Sequence, residues 1–304
     1  MPRDIITDAP NQGGEENPVN NSPDLNLPPS PPDTTPQEPN SAIYSDPNAI
    51  RVYIVDEKTP ILFLFGKPNC GKTMTLIRLS RYLRKQGYQI KPVRSFRPEE
   101  DTNYANLCDH FNDFLNSDTA AANTSNIDFM LLEISKGGNK ICQILESPGE
   151  LLTQYRDFPP FVNAIINSPN RKIYAIFVEP ETGFQSNQEY VDRIRRMHSK
   201  QMKKGQDRAV VILNKIDKAS ELLKGKGYVN IPAAKNYIDD NYQGLFDIFA
   251  NEHPITRLWR SHNCAFVPFQ TGDLSESLSA TTFTDGPEEY VRNLWRTVHK
   301  YIIG

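Results

Sequence analysis

Long apolar runs are missing from this 304-residue chain. No stretch of about 18 apolar residues occurs, and the N-terminus lacks a basic segment followed by an apolar core, so neither a membrane span nor a secretory signal is indicated. Cysteine is scarce. Cys70, Cys108, Cys142 and Cys264 are the only four, with no paired metal-ligand spacing and no disulfide-like density, which fits a reducing compartment and a cytoplasmic location. The five histidines are scattered without ligand or catalytic spacing and are assigned no chemistry. Extreme charge is absent as well: the net is −3.

What charge there is lies unevenly. Residues 1–48 hold one basic side chain, Arg3, against Asp4, Asp8, Glu15, Glu16, Asp24, Asp33, Glu38 and Asp46, so this segment carries −7 and the remainder +4. The same segment has eleven of the 24 prolines and no apolar periodicity, so it cannot bury enough surface to offset its ordering entropy. It reads as a disordered, proline-rich acidic tail. LPPSPPDTTP at 27–36 has the spacing of a polyproline ligand, although such composition suits an extended linker better.

Directly after the apolar run Ile61 to Phe65 the chain reads GKPNCGKT, Gly66 to Thr73, the pattern G-x-x-x-x-G-K-[ST] of a phosphate-binding loop. Backbone N–H groups of such a turn wrap phosphate oxygens, and the turn feeds the positive end of a helix. Gly66 lets the chain leave the strand sharply; Gly71 leaves room where a Cβ would intrude. Lys72 would place its ammonium on β- and γ-phosphates, and Thr73 would ligate a Mg²⁺ bridging them. The cradle runs through Gly66, Lys67, Pro68, Asn69, Cys70, Gly71, Lys72, Thr73 and Met74. Cys70 reads as a small tolerated residue, with an oxidation-sensitive thiol as the alternative.

Elements along the rest of the chain alternate. A hairpin is expected from Ile50–Val55 and Ile61–Phe65, then a helix stopping at Gly87, a helix near 99–115, and a second hairpin from 128–135 and 140–145 through KGGN. Core strands at 173–178, 209–213 and 265–269 are separated by helices near 160–167, 188–204 and 233–250, and a helix begins at Pro287. In that last helix Val291, Leu294, Trp295, Val298 and Ile302 form one apolar stripe. The pattern predicts a doubly wound, mostly parallel α/β sheet with helices on both faces and one antiparallel edge hairpin.

In such sheets ligands bind beyond the carboxyl ends of the strands. After 209–213 stands NKID, Asn214 to Asp217. A carboxylate at Asp217 can accept two parallel hydrogen bonds from guanine N1–H and the exocyclic amine, a pairing adenine cannot offer. The stem of Lys215 can lie along the base, and Asn214 can bond back to the phosphate loop. Thr271 and Gly272 follow the last core strand.

With these two motifs the sequence resembles the P-loop GTPases of the translation-factor-related class, and GKPNCGKT is similar to the loops of Era- and TrmE-type members. The resemblance covers about residues 50–304. It implies a GTPase domain over 49–304 with an enlarged first-switch region at about 96–125 and an insertion at about 218–262. It further implies GTP or GDP and Mg²⁺ as ligands. Where the family has D-x-x-G this chain has Glu146, Ser147, Pro148 and Gly149, so Glu146 stands for the Mg²⁺-linked aspartate and Gly149 for the glycine that meets the γ-phosphate. Thr124, with Thr119 as competitor, stands where the first switch supplies a Mg²⁺ ligand. Gln270, Thr271 and Gly272 stand where a backbone N–H meets guanine O6.

Glu150 occupies the position of the water-orienting glutamine, and with Lys72 it makes up the catalytic pair. An arginine finger in cis would come from Arg94, Arg97 or Arg156, although a solvated surface role is the favoured reading of each. These features imply a slow GTPase switch stimulated by a protein partner, with a non-hydrolysing scaffold as the second reading and a nucleotide kinase or ATPase as the third. The basic run Arg193, Arg195, Arg196, Lys200, Lys203 and Lys204 reads as a solvated helix face in preference to a nucleic-acid contact.

Overall fold

Five consecutive apolar residues without polar alternation suit a strand covered on both faces. Ile61–Phe65 forms such a strand, β1, fully buried within a seven-stranded sheet. The computed structural model describes residues 50–116, 129–146, 149, 158–180, 183–224, 228–252, 262–276 and 281–304. The acidic tail of residues 1–48 lies outside them.

Helix α1 (Lys72–Lys85) follows β1 through the glycine-rich turn and is closed by Gly87 at φ +79°. Strand β2 (Gln89–Pro92) and helix α2 (Thr102–Asn116) come next. Then β3 (Leu131–Lys136) turns into β4 (Asn139–Glu146) through Gly137 and Gly138. Both glycines are left-handed, as a two-residue hairpin turn of the favoured hand requires. Helix α3 (Pro160–Asn167), β5 (Lys172–Val178), α4 (Phe184–Lys200) and β6 (Arg208–Leu213) continue the alternation. A minimal hairpin, β7 (Leu223–Lys224) with β8 (Tyr228–Val229), precedes α5 (Ile231–Asn241) and β9 (Cys264–Pro268). A separate hairpin, β10 (Gly272–Glu276) with β11 (Thr281–Asp285), leads into the final helix α6 (Glu288–Ile303).

The strand order is β2-β3-β4-β1-β5-β6-β9. Only β3 runs against its neighbours; β4, β1, β5, β6 and β9 pair in parallel. The sheet is therefore the expected doubly wound one, with helices on both faces. The chain leaves β1 toward β4 on one side and β5 on the other, so the turn after β1 opens at the point where the winding reverses. On one face Phe65 stacks on Tyr190 of α4, with ring centroids 5.9 Å apart. Helices α1 and α6 pack on each other, and all five residues of the α6 stripe are buried, each contributing about 1.5–3 kcal/mol.

Several expectations need correction. Residues 50–55 form no strand, because β4 and β5 already occupy both sides of β1. Ile50, Val52 and Ile54 instead pack on the core as extended chain, and Tyr53 N–H donates to Phe96 O at 2.9 Å. An unanticipated β2 pairs outside β3, so the KGGN hairpin lies one strand in from the rim. Helix α4 begins at Phe184, four residues before the expected start. The expected helix at 233–250 is broken: α5 stops at Asn241, Gly244 turns at φ +74°, and a 3-10 turn, Asp247–Phe249, follows. The β10–β11 hairpin was not foreseen.

Candidate functional site

At the carboxyl end of β1 the turn is shaped by contacts that exclude side chains. A Cβ on Gly66 would lie 2.6 Å from Cys70 Sγ and 2.8 Å from Phe177 Cβ. Gly71 is left-handed at φ +87°, and a Cβ there would lie 2.3 Å from Asn214 Nδ2. Asn69 is left-handed too, at φ +59°, the one loop position besides Gly71 that turns this way. Tyr190 OH donates to Phe65 O at 3.1 Å and so braces the strand just before the turn. The first backbone bond of α1 runs from Thr75 N–H to Gly71 O at 3.0 Å. The N–H groups of Lys72, Thr73 and Met74 therefore belong to the first turn, whose donors a helix does not itself satisfy and which attract anions.

The side chains of the loop divide by role. Lys72 Nζ donates to Gly66 O at 3.2 Å and Lys67 O at 3.0 Å, which curls its ammonium over the loop. Pro68 and Asn69 form the more exposed crown, and Met74 turns its side chain into the core, so only its backbone belongs to the cradle. Cys70 is buried, and burial pushes its thiol above the usual range, as suits a small packing residue. Lys67 is buried as well: its Nζ donates to Asn187 Oδ1 at 2.7 Å and Ser186 Oγ at 3.4 Å on α4. Burial lowers its pKa, and the nearby Glu179 charge partly offsets that.

Parallel pairing of β4 with β1 sets Glu146 opposite Leu64 at the same sheet end. There Thr73 Oγ1 donates to Glu146 Oε1 at 2.5 Å. A hydroxyl and a carboxylate are hard oxygen donors that fit Mg²⁺, which binds through one or two such groups together with phosphate oxygens. Among the described residues no three His, Cys, Asp or Glu side chains form a group able to hold a metal by themselves. Gly149 lies against the loop so closely that a Cβ would be 2.4 Å from Pro68 N and 2.6 Å from the Lys67 carbonyl carbon. Ser147, Pro148, Glu150, Thr119, Thr124 and Arg156 lie outside the described residues.

The second motif joins the first directly. Asn214, at the end of β6, donates its side-chain amide to Cys70 O at 2.8 Å, and its own N–H goes to Val178 O at 2.8 Å. Lys215 is left-handed at φ +54°, and its ammonium pairs with Glu179 Oε2 at 2.5 Å. Tyr242, fully buried, holds the Glu179 backbone through its hydroxyl, which donates to Glu179 O at 2.9 Å. Asp217 sits half-buried in a 3-10 turn, Ile216–Lys218, whose first N–H reaches Phe269 O at 3.2 Å. After β9, Gln270 and Thr271 form the loop, while Gly272 already opens β10 opposite Asp285.

Sequence reasoning missed Arg78. This α1 residue is almost fully buried and donates to four backbone carbonyls. They are Gln270 O, Thr271 O at 2.8 Å, Gly286 O at 2.6 Å and Pro287 O at 2.5 Å. Its signal is a charge set between Ile77 and Leu79 in an apolar helix. Asn187, Glu179 and Tyr242, which brace Lys67 and Lys215, carried no signal.

The other arginines are engaged elsewhere. Arg94 pairs with Asp109 at the surface, and Arg97 is buried with Asp101 at 3.4 Å and Phe129 under its guanidinium at 5.1 Å. In the basic run Arg193 packs over Phe158 at 4.8 Å, Arg195 pairs with Asp192, and Lys203 donates to Ser168 O at 2.8 Å. Of that run Arg193 is buried, while Arg195, Arg196 and Lys200 are exposed.

No protein-family model matches the sequence, and no curated protein does. Among solved structures the chain is similar to a putative nucleolar GTP-binding protein 1 from Plasmodium falciparum, with 13% identity, a TM-score of 0.41, and coverage of 83% of this chain and 90% of that one. It is also similar to the GTPase-like domain of S. cerevisiae Ski7, bound to GTP, with 15% identity, a TM-score of 0.38, and coverage of 81% of this chain and 50% of that one. Likenesses this distant carry no function across. Among the described residues no helix is long and apolar enough to cross a membrane.

Proposed function

We propose that the chain binds guanine nucleotide, GTP and GDP, at the carboxyl end of β1 and hydrolyses GTP slowly with Mg²⁺, as a molecular switch. The observation that carries this reading is the Asn214 amide on Cys70 O, across a Gly71 that admits no Cβ. It ties the phosphate loop to the NKID turn, so one ligand can span both. Asp217 would read the guanine edge, and the first-turn N–H groups of α1 would receive the phosphates. Lys72 would exchange its two carbonyl acceptors for β- and γ-phosphate oxygens, and Thr73 and Glu146 would hold Mg²⁺, which when bound neutralises charge on those phosphates.

Turnover is slow in this reading because Glu150 replaces a neutral water-orienting group, and Arg97 is buried against Asp101, away from developing charge. A protein activator is therefore part of the proposal, as are a cytoplasmic location and a single GTPase domain over 49–304. A second reading, a non-hydrolysing nucleotide-bound scaffold, is favoured by Glu146, whose longer side chain reaches Thr73 directly.

Single-turnover release of γ-phosphate from bound GTP decides between them. Hydrolysis that requires Mg²⁺ and falls at least about 100-fold in Lys72→Ala, with the thermal midpoint unchanged, supports the switch. GTP bound but never cleaved supports the scaffold. ATP bound as tightly as GTP overturns both.

A further inference from the structure

We infer that Arg78 is a positioning residue for the purine ring, orienting the loop that would meet guanine position 6; the inference rests on the guanine reading proposed above. A guanidinium carries five N–H donors in a fixed plane. Here they converge on carbonyls from two segments far apart in sequence, Gln270 and Thr271 after β9, and Gly286 and Pro287 before α6. Gly286 N–H closes the gap between them by donating to Thr271 O at 3.2 Å. One side chain of the phosphate-loop helix therefore fixes both ends of the β10–β11 hairpin.

The direction of those carbonyls has a consequence. In a planar trans peptide the C=O and the following N–H point opposite ways. With the carbonyls of Gln270 and Thr271 drawn toward Arg78, the N–H groups of Thr271 and Gly272 are turned away from α1. The guanidinium sets the Gln270 carbonyl and shares the Thr271 carbonyl with Gly286 N–H. The same residue also acts on the NKID turn: its guanidinium lies 5.5 Å from the Phe269 ring, and Phe269 O receives Ile216 N–H, one residue before Asp217. Tyr290 of α6 feels the charges of both Asp217 and Arg78, which puts the two in one neighbourhood. Arg81, one turn on, adds an ion pair with Asp285 at 3.6 Å and holds the hairpin's second strand to α1.

The test compares GTP with 6-thio-GTP, in which sulfur at position 6 is a poorer acceptor while N1–H and the exocyclic amine are kept. Equilibrium affinity is measured on the full chain for wild type, Arg78→Met and Arg78→Lys. Wild type is expected to bind 6-thio-GTP about tenfold more weakly than GTP. In Arg78→Met that factor should fall to about twofold or less, because an unoriented loop no longer discriminates at position 6. Arg78→Lys, which keeps a charge and three donors, should lie between and carries the test should Arg78→Met fail to fold. A factor unchanged in the variants, or affinities for both nucleotides reduced equally, means that Arg78 only stabilises the fold and overturns the inference. So does a wild-type factor near one. A wild type that binds no GTP refutes the guanine reading itself, an outcome distinct from the others.

Discussion

At the carboxyl ends of β1, β4 and β6, polar side chains bond across to neighbouring elements: Asn214 to Cys70 O, Lys67 to Asn187, Thr73 to Glu146. At the amino ends the polar side chains tie strand to strand. Asp207 takes the N–H of Lys172 and of Lys203, each at 2.8 Å, and Asn170 donates to the carbonyls of Asp56 and Thr59. Asp56 itself collects Thr59 N–H, Lys58 N–H, the Thr59 hydroxyl and Lys140. The amino end thus joins neighbouring strands where they begin, and its turn glycines, Gly137, Gly138 and Gly205, have nothing within 4 Å of where a Cβ would sit. The carboxyl end joins helices and turns to the strands around glycines, Gly66, Gly71 and Gly149, where a Cβ would clash. The difference separates what holds the sheet from what would serve the proposed nucleotide, and it implies that substitutions at the two ends should have opposite signatures.

The largest expected effect tests the carboxyl end. Asp217→Asn should lower GTP affinity about 100-fold and transfer preference to xanthine nucleotides, while the thermal midpoint moves by no more than about 2 °C. Unchanged GTP affinity would remove NKID from the site and dissolve the contrast. Next in size is Asp207→Ala at the opposite end. It strips the acceptor from a buried Lys172 N–H and from Lys203 N–H, and should cost about 2 kcal/mol, or about 6 °C, with nucleotide affinity intact. A large loss of affinity in that variant would show that the two ends are coupled.

The smallest effect is set by pH. Burial raises the Asp56 carboxyl, but bonds from Thr59, Lys140 and Lys58 outweigh it and hold the group at about 2, below its usual 3.8. Its folded-state pKa is depressed, so its contribution is present above about pH 4 and lost as pH falls through about 2. Wild type should therefore exceed Asp56→Asn by about 1 kcal/mol at neutral pH in denaturant titrations, after allowance for solvent screening, and the gap should close toward pH 2. A gap that persists in acid would assign the effect to packing.

The same division governs what could be read from sequence. The phosphate loop, NKID and the KGGN turn are contiguous, and each depends on local conformation, so glycine placement and flanking apolar runs announce them. Fold class followed from the alternation of apolar strands with amphipathic helices. What escaped was decided by topology. Residues 50–55 have the composition of a strand, yet both neighbours of β1 were already taken. Strand β2 buries only Ile90, too little to stand out. Lys67 with Asn187 and Arg78 with Gly286 are more than a hundred residues apart, and no periodicity reports such partners.

The rims of the sheet carry a further consequence. The outermost strands, β2 and β9, each end in a proline, Pro92 and Pro268, and β2 is only four residues long with Lys91 among them. Proline offers no N–H to an incoming strand, and a short, charged rim is a poor template for one. Both margins thus resist edge-to-edge stacking of copies. An extended peptide would find little purchase at those prolines.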